Sequence, residues 1–191
     1  MRKGIIGSKN ILGILLVLLV GCNSGGHTSN TAADNPDLNS ERLIPQNVID
    51  YLSTHLPGYS IANRSDYTTG WWSFYEPQST PFVVKTDIND DQIVDYALIL
   101  KKSNLIELVI LTGTKGSFKH WIAPDFNKNF NPNAKDLHYG LMPQPPGQID
   151  IAYPQIKSLI LKSNAINLMD YENRMAIYYW SGDRIEIFKT H

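Results

Sequence analysis

Past Pro57-Gly58 the apolar residues recur at every second position, and that period leaves little but β-sheet to build from. Residues 71–75, 82–86, 95–101, 105–112 and 118–122 all read as strands, rich in aromatic and β-branched side chains. Ser103-Asn104 and the 113–116 stretch leave room only for turns between neighbours, which predicts an antiparallel meander. A long polar loop, 123–148, interrupts the pattern, which resumes at 157–162, 165–170, 174–180 and 184–188 with Gly182-Asp183 as a two-residue hairpin turn. Lys-Ser-Asn occurs at 102–104 and again at 162–164, each time between Leu/Ile-rich runs, and predicts two similar hairpins.

Ahead of the strands the period is four. Ile44, Val48, Leu52 and Leu56 form one stripe, Ile49 widens it, Pro45 suits a first helical position and Pro57-Gly58 ends it. The fold expected is therefore α+β, one N-terminal helix packed on an antiparallel sheet, with a small β-sandwich as the alternative. A chain of 191 residues holds one ordinary domain, here 43–191, and 42% hydrophobic residues suffice for its core.

Two features bear on address. Arg2, Lys3 and Lys9 precede the apolar run 11–20, the charged start and short apolar segment of a secretory signal. As a helix that run reaches ~15 Å, about half of a ~30 Å hydrocarbon core, so it suits a cleaved leader, 1–21, better than a permanent span. Cys22 is the sole cysteine, so packing must hold the fold without a disulfide. From Asn23 to about residue 42 the chain is mostly Ser, Gly, Asn, Asp and Thr with almost nothing apolar, the composition of a flexible tether spanning roughly 25 Å.

Leu19-Val20-Gly21-Cys22, placed after such a leader, resembles the lipobox of bacterial lipoproteins. The resemblance covers the first 22 residues. It implies cleavage before Cys22, a diacylglycerol on its thiol, a fatty acyl group such as palmitate on the new amino group, and a membrane held as partner through those chains. It also removes the thiol from catalysis. In lipoproteins of Gram-negative type, Asp after the cysteine favours inner-membrane retention; Asn23 stands here, which implies the outer membrane, facing the periplasm.

Formal charge is −1, and without Arg2, Lys3 and Lys9 the mature part has 14 basic against 18 acidic side chains, a net −4. Such a surface has no electrostatic reason to hold nucleic acid. Four of those acids, Asp87, Asp90, Asp91 and Asp95, crowd into one loop. Asp87, Asn89, Asp91 and Asp95 stand at positions 1, 3, 5 and 9, the carbonyl of Ile93 at position 7, and hard Ca²⁺ takes six to eight oxygens from such alternating groups. The stretch is similar to the D-x-N-x-D-x-x-x-D calcium loops of FG-GAP-type and related exported proteins, and the apolar strand after Asp95 fits their continuation. The resemblance implies a structural calcium closing one hairpin. It does not imply a propeller, which would need several such loops, and Gln92 takes the place of the usual Gly. Asp125, Asn127, Asn129 and Asn133 repeat the spacing with a single charged ligand and Lys128 inside, too little for calcium.

Other chemistry is thinner. None of His27, His55, His120, His138 and His191 pairs at metal-ligand spacing, so a zinc site would need long-range assembly. Neither G-x-S-x-G nor S-x-x-K occurs, and 113–117 lacks the order of a phosphate loop. As a strand, 71–75 would put Trp71 and Tyr75 on one face and Trp72 and Phe74 on the other, one face core and the second a platform for a protein or glycan partner. The function expected is that of an envelope-anchored, non-enzymatic binding module. Its rivals are a periplasmic inhibitor or immunity protein acting on a toxin or lysozyme-like hydrolase, and a hydrolase using carboxylates such as Asp125, Asp136 and Asp150.

Overall fold

The computed structural model describes residues 44–190 apart from 77–78, 104, 125, 127–136, 153–154 and 171–172. The leader, Cys22 and the tether lie outside the described residues, as do His27, His191, Asp125, Asp136 and the second acidic spacing. The chain is mostly antiparallel β-sheet with few helices.

Helix α1 is Gln46–His55, and Pro45 caps it one position outside the helix. Its stripe is buried at Val48, Tyr51 and Leu52. After β1, Ser60–Ile61, a 3₁₀ turn at Arg64–Asp66 leads to a second helix, α2, Thr69–Phe74. The expected strand at 71–75 is thus corrected to helix. Five residues carry too few periods to separate the two, and local capping decides: the Thr68 hydroxyl accepts the Trp71 N–H at 3.0 Å. Trp71 and Tyr75 then stack at 4.2 Å between ring centroids, an i,i+4 pair on one helical face.

The first sheet holds β2 (Val83–Thr86), β3 (Asp95–Lys102), β4 (Leu105–Thr114) and β5 (Ser117–Ile122) as a meander, with β1 sharing the β3 edge beside β2. Ser103 at φ +52° and Gly116 at φ +85° stand in its two-residue turns. The second sheet runs β11-β10-β9-β6, from Ile185–Lys189, Asn173–Trp180, Ala165–Asp170 and Tyr139–Gln144. β7 (Gly147–Ile151) and β8 (Lys157–Leu161) form a separate hairpin.

Three expectations fail here. The loop 123–148 contains all of β6 and the start of β7; Pro143 and Gly140 hide the strand, since proline is tolerated there only because β6 is an edge. The meander is broken, because β6 pairs with β9 across the intervening hairpin. Lys-Ser-Asn at 162–164 is a crossover between β8 and β9, which belong to different sheets. The turn at Gly182-Asp183 is as expected, closed by the Ser181 N–H donating to the Arg184 carbonyl at 2.8 Å.

Along β3 and β4 all side chains from Asp95 to Leu100 and from Leu108 to Leu111 are buried, so the first sheet is covered on both faces. Helix α1 covers one: Tyr51 meets Phe118 edge-on at 5.6 Å. The second sheet covers the other, where Trp121 meets Tyr178 at 5.9 Å. Residues 118 and 121 are even and odd along one strand, hence on opposite faces. The second sheet buries Ile166, Leu168 and Tyr178 in this shared core and turns Ala165 and Ile177 to the β7–β8 hairpin. The sheets meet at a corner, where the Leu141 N–H donates to the Pro81 carbonyl at 2.7 Å and the Leu137 N–H to the Asp66 carbonyl at 2.7 Å.

Candidate functional site

The acidic loop joins β2 to β3 and is held by its own side chains. Asp87 accepts the N–H groups of Asp91 (3.2 Å) and Gln92 (2.8 Å), Asn89 accepts that of Asp91 (3.3 Å), and Asp91 accepts that of Ile93 (2.8 Å). Gln92, at the sixth position where calcium loops keep glycine, takes φ +67°, and Asp90 takes φ +58°. The backbone therefore turns in the sense such a loop requires in spite of the missing glycine.

Asp95 stands apart from the other three. It is 1% exposed, and its two oxygens accept the N–H of Ile88 at 2.8 Å and of Gly113 at 2.7 Å. Burial, aided by the charges of Asp91 and Asp87 and opposed by the two N–H bonds, lifts its carboxyl from 3.8 to about 6. Asp87, Asn89 and Asp91 wrap one turn with hard oxygen donors suited to calcium; Asp95 ties that turn to β4. Among the described residues no three His, Cys, Asp or Glu side chains gather around a point that could hold a metal ion.

The aromatic residues part company on α2. Trp71 is buried, Tyr75 is half-buried, and both line a small cavity beneath the helix. Trp72 instead lines a cleft of about 1120 Å³ between α1 and the 3₁₀ turn, walled by Ile49, Ile61, Tyr67 and Phe82 and rimmed by Gln46, Asn63 and Arg64. The Arg64 guanidinium lies over the Trp72 ring at 3.8 Å. The turn that presents it is capped at both ends of its motif: Asn63 accepts the Ser65 N–H at 2.9 Å, and Asp66 accepts the Asn63 N–H at 2.8 Å. Asp66 also pairs with Lys101, which anchors the turn to β3. Tyr67, 5% exposed, has a hydroxyl with no hydrogen-bond partner among the described residues; burial raises its pKa well above 10.0, so it is a neutral donor.

Sequence spacing did not point to this cleft, although Asn63-Arg-Ser-Asp66 is a legible capping motif. Nor did it bring His55 and His120 together, as the fold does around Tyr51: the Tyr51 hydroxyl bonds the His120 ring at 3.0 Å and the His55 ring stacks on Tyr51 at 4.0 Å. Asp150 is exposed on β7, bonded to Gln148 and Ser158. Among the described residues no helix is long and apolar enough to cross a membrane. Comparison with known proteins finds no matching family model, no matching curated sequence and no matching solved structure.

Proposed function

We propose that this chain is a lipid-anchored binding module of a bacterial envelope, non-enzymatic, that seats a protein partner in the Trp72 cleft. The observation that carries the reading is the cleft itself: an aromatic and aliphatic wall, Ile49, Ile61, Tyr67, Trp72 and Phe82, rimmed by a few polar groups. Arg64, held over the Trp72 ring, adds a cationic edge to that wall. The leader and lipobox support export and acylation at Cys22, with the module on the periplasmic side of an outer membrane. In fold terms it is an α+β domain, α1 laid on the first sheet, and the facing sheets give it the character of a small sandwich.

Site-specific photocrosslinking in intact envelopes tests this. A crosslinker at Ile49, in the cleft wall, gives a discrete protein adduct that Arg64→Gln and Trp72→Ala abolish, while one at Ile156 on the far hairpin does not. Adducts only with glycan, none in any growth state, or the same adduct from both positions would refute the reading.

Calcium belongs to this proposal as a structural ion on Asp87, Asn89, Asp91 and the Ile93 carbonyl, with Asp95 beneath it. Its donor set is hard oxygen throughout, and three negative charges at 87, 90 and 91 favour a cation. Titration calorimetry should give a Kd of about 10⁻⁴–10⁻³ M that weakens in Asp87→Asn; a flat titration at millimolar calcium removes the ion from the proposal.

A further inference from the structure

The corner where β2 and β6 part encloses a second cavity of about 310 Å³, which shares no lining residue with the Trp72 cleft. Its walls are the stacked Trp71 and Tyr75 rings, Pro81, Pro143 and two methionines, Met142 and Met169. One wall is fitted closely: a Cβ on Gly140 would stand 2.5 Å from the Trp71 ring, so that ring rests directly on the β6 backbone. Methionines adapt their shape to irregular apolar guests. Lys85 is the one charged side chain on the described lining, exposed at the mouth.

We propose that this cavity binds a medium-chain aliphatic carboxylate, its chain against Trp71, Tyr75, Met142 and Met169 and its head at the Lys85 ammonium. The volume stands at the small end of the roughly 300–1,000 Å³ typical of small-molecule sites, which limits the guest to a single chain of medium length. The apolar walls reward burying methylenes, about 0.8 kcal/mol each, and the single cation selects an anionic head.

The test is photolabelling of the full-length protein with a medium-chain carboxylate bearing a terminal diazirine, followed by peptide mapping. Label is expected on Tyr75, Met142 or Met169, displaced by decanoate but not by decyltrimethylammonium, and reduced several-fold in Lys85→Gln. Lys85 is exposed, so that variant keeps the fold, which circular dichroism checks. Absent or only distant adducts, equal displacement by the cation, or undiminished labelling of the variant would overturn the proposal. Since the Trp72 cleft takes no part in this measurement, failure here leaves the partner reading untouched.

Discussion

Asp95 is where single atoms matter most. Its carboxylate gains from two backbone N–H groups yet loses more to burial, so folding favours its protonated form. With a folded value of about 6 above the unfolded 3.8, its contribution to stability is full below pH 3.8 and is lost as pH rises through 6, about 3 kcal/mol in all. Asp95→Asn removes that titration. The difference in unfolding free energy between native protein and variant, followed by urea titration, should therefore decline from about pH 4 to pH 6 and level off above. A difference that is constant with pH would show that the carboxyl does not titrate in this window. Its partner Gly113 is equally constrained, since an added Cβ would meet the Ile93 side chain at 2.5 Å and the Val94 carbonyl at 2.6 Å. Gly113→Ala is expected to cost about 1–3 kcal/mol by overpacking, read from the same titration.

At the scale of elements, α2 shows how a short segment is settled. Six residues are far too few for a helix that stands on propensity, so its cap and its packing decide. Thr68→Ala removes the acceptor of the Trp71 N–H and should cost about 1 kcal/mol, with Thr68→Ser restoring most of it. Equal stability of the alanine and serine variants would deny the cap its role. The strands behave differently. Most of β3 and β4, residues 95–101 and 105–112, was legible because alternation and two-residue turns are local signals, whereas β6 was not, because Pro143 and Gly140 speak against a strand until the edge position and the Trp71 ring explain both.

Over the whole molecule, one core joins the two sheets, and the crossover at 162–164 reinforces it: the Ser163 hydroxyl donates to the carbonyl of Ile88, itself fully buried, at 2.7 Å. The described domain should unfold in one cooperative transition by both tryptophan fluorescence and far-ultraviolet circular dichroism; two separated midpoints would mean independent sheets. Ser163→Ala leaves that carbonyl unmatched and should lower stability by about 1–3 kcal/mol while speeding amide exchange in the acidic loop, including the Ile88 N–H.

Nearest-neighbour chemistry was enough to read α1, most strands and the turn-forming side chains of the 87–95 loop, because each depends on residues a few positions apart. It was not enough for pairing or for sites. That β9 takes β6 as neighbour, that Lys-Ser-Asn closes a hairpin at 102–104 but crosses between sheets at 162–164, and that Arg64, Tyr67 and Trp72 meet Ile49 across a cleft all follow from burying apolar faces contributed by distant segments. Such burial is non-directional and sums over the whole chain, so no window of sequence contains it.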